Sequence, residues 1–256
     1  MAEMKAHRDS ASRRPAPTGP PPARGPHPLL PMLLAAPIFE AASERRPLTY
    51  RERQKLANAA TRLQLPAGYV IYREGDQADA VFITGTGVVI SYKELASGQR
   101  RVAGFRFHAD LFGLAEHGSY VNTTRAVTPV TVFRIPAAAL TEILKYDAEL
   151  EFQFLCKVVD DLRQTQRKAI IVARRDAAGR LAMFIDLLRQ MGDKKPLPSR
   201  IELPMTRSDI AGYLNLTPES VSRACRRLGD QGIVTFDRES ARIVNRRRFE
   251  ELVATL

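Results

Sequence analysis

Residues 204–234 read PMTRSDIAGYLNLTPESVSRACRRLGDQGIV, and the C-terminal fold turns on this stretch. Thr206 is placed to cap a helix over Arg207–Leu214, whose inward positions Ile210 and Leu214 lie four apart. Asn215-Leu216 makes a tight turn, with Leu216 filling the space between two helices. Thr217 caps the second helix, and Pro218 takes its first position, where a missing N–H costs nothing. Val221, Cys225 and Leu228 form the inner stripe of that helix. Its outer face carries Glu219, Ser222, Arg223 and Arg226. This is the layout of a helix-turn-helix, whose second helix presents its N-terminal residues to base edges in the major groove. Arginine bridges guanine O6 and N7, glutamate accepts from cytosine N4, and serine serves either role. Glu219, Ser222 and Arg223 are therefore the candidate base readers, and Arg226 a candidate phosphate contact, with double-stranded DNA as the partner. Glu219, four residues before Arg223, is also expected to hold the guanidinium in place. The plainer alternative is an exposed, salt-bridged helix. Two capped short helices, a tight turn and an acid set in a basic face favour DNA.

Beyond it, Gly232–Phe236 and Ala241–Val244 are joined by Asp237-Arg238-Glu239-Ser240, which predicts a β-hairpin, or wing. Arg238, Arg242, Arg246, Arg247 and Arg248 make this wing basic enough to touch phosphates, contacts that position a protein without reading sequence. Upstream, Arg200–Leu203 predicts a short strand, and the segment 192–198 a linker.

Pro136 opens a long helical region. Within it Leu155, Val158, Leu162, Thr165, Ala169 and Val172 recur at steps of 3, 4, 3, 4 and 3. A two-residue seam of that period belongs to a coiled coil rather than a wide core face. Lys157, Asp160, Asp161, Arg163, Arg167 and Lys168 flank it, so the seam predicts a homodimer helix rather than one packed wholly on its own domain. Cys156 adjoins Leu155, which suggests that its oxidation alters dimerisation.

From Tyr69 to Ile135, short β-branched and aromatic runs alternate with turns at Glu74-Gly75-Asp76, Gly85-Thr86-Gly87 and Ser97-Gly98-Gln99. That spacing predicts an antiparallel barrel or sandwich. Before it, residues 48–63 read as a helix with Leu48, Leu56, Ala59, Ala60 and Leu63 on one side, stopped by Pro66-Ala67-Gly68. Residues 1–31 are rich in Pro, Arg, Ala and Ser and cannot bury a core. They read as a disordered tail, with Arg8, Arg13, Arg14 and Arg24 as secondary candidates for phosphate contact.

The chain has 256 residues, enough for about two domains, and a net charge of +11 that suits a polyanionic partner. Two cysteines without a CxxC exclude a zinc ribbon, a cysteine-ligated iron–sulfur cluster and a disulfide framework, and fit a cytoplasmic protein. The apolar run Leu29–Phe39 is broken by Pro31 and Pro37 and is too short to span a bilayer, so no membrane partner is expected. It imitates a signal peptide only faintly. No Ser/His/Asp set, phosphate-binding glycine loop or metal cluster supports an enzyme.

These residues resemble the CRP/FNR superfamily of bacterial regulators from about Leu48 to Leu252. LTPESVSRACRRLGDQGIV, with its Glu219-x-x-Ser222-Arg223 motif, resembles the FNR/FixK branch, and SGQRRVAGFRFHADLFGL resembles the FixK-like β-roll. The resemblance implies an α+β fold: an N-terminal antiparallel β-roll of the cyclic-nucleotide-binding jelly-roll kind, a long dimerisation helix and a C-terminal winged helix-turn-helix. The expected division is a tail over 1–40, a sensor-like domain with flanking helices over 41–145, the dimerisation helix over 146–175 and the DNA-binding domain over 176–256. It further implies an activator, a palindromic operator with TTGA-type half-sites, RNA polymerase as a partner, and phosphate contacts from Thr206, Arg207 and Thr217.

The chain departs from the family where its relatives bind effectors. Where cyclic-AMP-binding members carry a Glu after a pocket Gly, Leu114 follows Gly113, and about Tyr120 stands where they carry an Arg. A buried cyclic phosphate without that Arg lacks charge compensation. Arg125 is a candidate substitute, but it reads rather as a structural arginine at a strand edge. Residues 1–40 hold no cysteine for an oxygen-sensing cluster. Gly113 and Ala115 replace the Cys and His of haem-binding members, leaving His108 and His117 as the residual ligand candidates. Thr206 stands where some FixK-like proteins carry a redox-sensitive Cys. No cofactor is expected. An effector-gated sensor, through haem or another small molecule, is the alternative.

Overall fold

The computed structural model describes residues 49–115, 118–191 and 198–254. The expected tail over 1–40, His117 and residues 192–197 of the expected linker lie outside them. Helix α1 (Tyr50–Ala59) starts at Thr49, whose hydroxyl accepts from the Glu52 N–H while the Glu52 carboxylate accepts from the Thr49 N–H at 2.6 Å. It stops earlier than the sequence suggests. Ala60 is extended, and Thr61–Leu65 forms strand β1, pairing with Val130–Arg134. The alternation in TRLQL matches a sheet edge as well as a helix face, and the long-range partner decides.

The strands β2 (Val70–Tyr72), β3 (Ala80–Thr86), β4 (Val89–Glu94), β5 (Arg100–Arg106), β6 (Leu111–Phe112), β7 (Thr123–Ala126) and β8 (Val130–Pro136) complete the β-roll. One antiparallel sheet has the order β1-β8-β3-β6 and the other β2-β7-β4-β5. Side chains alternate across each strand, so each sheet has two apolar faces to cover. Between the sheets lie Tyr72, Phe82, Val89, Phe112, Tyr120, Val130 and Val132. The outer face of the first sheet, through Val81, Ile83, Phe133 and Ile135, takes Leu56 of α1, Leu140 of α2 (Ala137–Lys145) and Leu150 of α3 (Ala148–Ala173). The outer face of the second sheet, through Ile90, Tyr92, Val102 and Phe105, merges with the core of the C-terminal half.

Helix α3 has 26 residues and is about 39 Å long at ~1.5 Å per residue. It buries Leu150, Gln153, Cys156 and Ile171. On the same side Lys157 pairs with Asp110 at 3.1 Å, Arg106 with Asp161 at 3.5 Å, and Lys168 donates to the Val102 carbonyl. Burial pushes the Asp161 carboxyl up, against the pull of Arg106 and Lys157. Cys156 is therefore turned into the protomer. It neighbours Leu155 in sequence, but consecutive helical residues are about 100° apart around the axis. The expected role of Cys156 at the dimer seam is withdrawn on this geometry.

The C-terminal half comprises α4 (Ala177–Gln190), β9 (Arg200–Glu202), α5 (Arg207–Leu214), α6 (Pro218–Asp230), β10 (Val234–Phe236), β11 (Ser240–Ile243) and α7 (Arg246–Ala254). Its sheet has the order β10-β11-β9. The arginines assigned to the wing divide. Arg238 and Arg242 belong to the hairpin, whereas Arg246, Arg247 and Arg248 start α7. That helix is anchored by the fully buried Phe249 and carries along its exposed side the i,i+4 pairs Arg246–Glu250 at 2.8 Å and Arg247–Glu251 at 2.9 Å.

The two halves meet through rings. Phe105 of β5 lies 5.5 Å from Tyr213 and 6.0 Å from Phe184, and those two are 5.0 Å apart. Helix α5 lies so close on β5 that a Cβ at Gly212 would stand 2.5 Å from the Arg100 carbonyl oxygen. Nothing larger than glycine fits there without moving backbone.

Candidate nucleic-acid interface

Both helices of the motif form as their caps dictate. At α5, Thr206 Oγ1 accepts from the Asp209 N–H at 3.1 Å, and Asp209 Oδ2 accepts from the Thr206 N–H at 3.2 Å. The Thr206 hydroxyl also donates to that carboxylate at 2.8 Å. Helix α5 ends at Asn215 in the left-handed region, φ 55° and ψ 48°, which asparagine tolerates better than most residues. At α6, Thr217 Oγ1 accepts from the Ser220 N–H at 3.2 Å, with Pro218 at the first position. Ile210, Leu214, Val221 and Leu228 are fully buried, Cys225 is buried, and Leu216 is half-buried against them.

The opposite face of α6 is open. Glu219, Ser222, Arg223 and Arg226 are all exposed, together with Thr217 at its start. The Glu219 carboxyl is held below its ordinary range by its own backbone N–H and by Thr217, with the Arg223 charge a lesser contributor. Arg223 takes its side-chain support from Ser220, not from Glu219 as the spacing suggests: Nη2 donates to Ser220 Oγ at 3.1 Å. The Thr217 hydroxyl donates to the same Ser220 oxygen at 3.1 Å. Ser222 donates to the Pro218 carbonyl at 2.9 Å. The basic wing residues Arg238 and Arg242 are exposed.

Arg207 is half-buried, with its guanidinium 5.5 Å from the Phe236 ring centre and beside Cys225. It ties α5 to the wing and to α6. Burial pushes the Cys225 thiol up, opposed by Arg207, so this cysteine behaves as a core residue. Asp209, which sequence reading passed over, is 4% exposed and has two tasks. One carboxylate oxygen closes the cap, and the other accepts from Arg125 of β7 at 3.3 Å. The signal was there, since an acid three residues after a capping threonine is the capping-box pattern. Arg125 is thus spent on the junction between β-roll and DNA-reading unit.

The seam residues Leu155, Val158 and Leu162 are 58%, 44% and 56% exposed, on the side of α3 away from Cys156 and Leu150. Thr165 and Ala169 are also exposed, whereas Val172 is half-buried. Phe152, three residues before Leu155, extends the open apolar stripe by one step. Among the described residues no helix is long and apolar enough to cross a membrane, and no cluster of three or more His, Cys, Asp or Glu could hold a metal.

Both the sequence and the fold are similar to those of known proteins. The Crp-like helix-turn-helix domain model matches residues 179–252, and the cyclic nucleotide-binding domain model residues 62–147. The nitrogen fixation regulation protein FixK of Rhizobium meliloti is 28% identical over 66% of this chain and 75% of its own. The fumarate and nitrate reduction regulatory protein of Escherichia coli is 27% identical over 73% of this chain and 76% of its own. The structure of FixK2 from Bradyrhizobium japonicum superposes with a TM-score of 0.71 at 29% identity, covering 77% of this chain and 98% of that one. A CRP-family regulator from Thermus thermophilus, TTHB099, shares the fold at 17% identity, with a TM-score of 0.63 over 75% of this chain and 97% of that one. The chain belongs to the CRP/FNR superfamily of DNA-binding transcription regulators, in its FixK-like branch.

Proposed function

We propose that the protein works in the cytoplasm as a homodimeric activator that binds a palindromic operator with TTGA-type half-sites and needs neither cyclic nucleotide nor an iron–sulfur cluster. The observation that carries this reading is the pair of open faces on α3 and α6, one apolar and one basic. Residues 155–172 join two protomers, within a division of 41–145, 146–175 and 176–256. The dimer sets two recognition helices about 34 Å apart, one turn of DNA. Glu219, Ser222 and Arg223 read bases, while Thr206, Arg207, Thr217 and Arg226 bind phosphates. RNA polymerase is the further partner.

The interior of the β-roll supports independence from cyclic nucleotide. Tyr120 stacks on Tyr72 at 3.7 Å, and Phe82 on Phe112 at 5.3 Å. The Tyr120 hydroxyl donates to the Ala80 carbonyl at 2.8 Å. The position where relatives carry a phosphate-binding arginine is thus a buried ring committed to β3. The effector-gated reading has one observation in its favour, a cleft of about 650 Å³ between the β4–β5 hairpin and α5, lined by Arg100, Arg101 and Arg125 among others. Titration calorimetry with cyclic nucleotides, and absorption spectra after haem addition, separate the two readings. No heat, no haem band and unchanged operator affinity are expected; micromolar binding that shifts operator affinity refutes the effector-free reading.

A further inference from the structure

Helices α3 and α4 are separated by Arg174, Arg175 and Asp176 alone, and the polar groups of this joint are closely tied. Asp176 caps α4 by accepting from the Gly179 N–H at 2.6 Å, and its other oxygen accepts from Arg174 Nε at 2.6 Å. Arg174 continues to the Leu252 carbonyl of α7 at 2.7 Å. Its guanidinium lies across Gly179, where a Cβ would collide with it.

Arg180, in the first turn of α4, goes further. Its Nε donates to the Arg174 carbonyl at 2.6 Å, and its Nη1 donates to the carbonyls of Leu214 at 3.1 Å and Asn215 at 3.3 Å. Arg174 is the C-cap of α3, Leu214 the last residue of α5, and Asn215 its C-cap. One guanidinium therefore reaches the terminal carbonyls of two helices, where a positive charge is favoured and the fork geometry matches several acceptors at once. The two ends it joins are functionally distinct. One terminates the helix that carries the seam. The other leads through Leu216 and Thr217 directly into α6.

We infer that Arg180 is a positioning residue that fixes the angle between the seam helix and the recognition helix, and so sets the half-site spacing the dimer accepts. The inference rests on the dimeric operator reading above. Swinging α5 and α6 relative to α3 breaks bonds to one helix end or the other. Lysine reaches one end with a point charge but cannot span both.

The test uses the full chain and a set of duplexes carrying two TTGA-type half-sites at the preferred spacing, with one base pair added or with one removed, plus a random duplex. Affinity is measured by fluorescence anisotropy for the wild type, Arg180→Gln and Arg180→Lys, with dimer mass from analytical ultracentrifugation and folding from circular dichroism. Each base pair added rotates one half-site by about 34° relative to the other. The wild type is expected to discriminate against both altered spacers. In Arg180→Gln that discrimination falls by at least about threefold, a modest coupling for groups in contact, while dimer mass and random-duplex affinity hold. A purely structural role lowers affinity for every spacer by the same factor. A folded Arg180→Gln with wild-type discrimination overturns the inference while leaving the dimeric reading intact. If Arg180→Gln does not fold, Arg180→Lys decides by the same criterion. A wild type indifferent to spacing overturns both.

Discussion

Helices α3 and α6 are built on one plan with opposite chemistry. Each buries one face and leaves the other open. On α3 the inward side packs Leu150, Cys156 and Ile171 beside the ion pairs Lys157–Asp110 and Arg106–Asp161, and the open side carries the apolar Phe152, Leu155, Val158 and Leu162, flanked by the exposed Arg163 and Arg167. On α6 the buried side is Val221, Ala224, Cys225 and Leu228, and the open side is Glu219, Ser222, Arg223 and Arg226. An exposed apolar stripe gains by leaving water, so it calls for a like surface, while an exposed basic stripe gains by displacing counterions from phosphates. The contrast supports the proposed division, a protein partner for the first and a nucleic acid for the second.

The largest effect is expected from putting the wrong chemistry into the first surface. Leu162→Asp places an unpaired carboxylate in the middle of the seam, which costs several kcal/mol in the dimer and almost nothing in the protomer, where the position is open. Sedimentation should show monomer with an unchanged circular dichroism spectrum, and operator binding should drop to that of a single half-site. A dimer of unchanged mass removes the seam from the account. Next comes the second surface. Arg223→Ala is expected to cost ~1–3 kcal/mol and to relax base preference. Arg207→Ala should weaken binding to all sequences alike. Binding-site selection distinguishes them, and equal loss of preference in both contradicts the division between reading and positioning.

What was legible in the sequence follows the range of the interactions involved. The helix-turn-helix could be read residue by residue, because its caps at Thr206 and Thr217 and its inner stripe are local. The open apolar stripe on α3 was visible as a period, although Phe152 at its start and the half-burial of Val172 at its end were not. Strand β7 (TTRA) carries no strong pattern and exists because β4 and β2 pair with it on either side. Helix α7 hid behind three consecutive arginines. Its signal was the pairing of Arg246 and Arg247 with Glu250 and Glu251 four residues on, around the apolar Phe249. The support of Arg223 by Ser220 was decided by rotamers, which spacing cannot rank: both i,i+3 and i,i+4 neighbours lie within reach. Arg180 escaped notice because its three acceptors are backbone carbonyls distributed over two helix ends.

A smaller effect tests whether the reading face depends on the order of its first turn. Thr217→Ala removes the acceptor for the Ser220 N–H and frees the Ser220 hydroxyl that steadies Arg223. A lost N-cap costs about 1 kcal/mol in stability. Thr217→Ser keeps the hydroxyl and should restore both thermal stability and base preference. Recovery of stability without recovery of preference would separate the cap from the positioning of Arg223.

The smallest expected effect sets the two faces against each other in one variable, salt. If the seam is apolar, dimer dissociation should change little as salt rises. Binding to DNA, by contrast, should weaken along a straight line of log affinity against log salt, with a slope of about −0.9 per phosphate neutralised. Arg226 lies on the open face of α6, beyond the proposed base readers, and is exposed. Arg226→Ala should flatten that slope by about 1 while leaving base preference intact, since a phosphate contact carries no sequence information. A slope that does not move shows that Arg226 faces water in the complex, and a changed base preference moves it among the readers. A dimer equilibrium that shifts with salt as steeply as DNA binding does would mean that charged neighbours of the seam, Arg163 and Arg167 among them, hold the protomers together instead of Leu155, Val158 and Leu162.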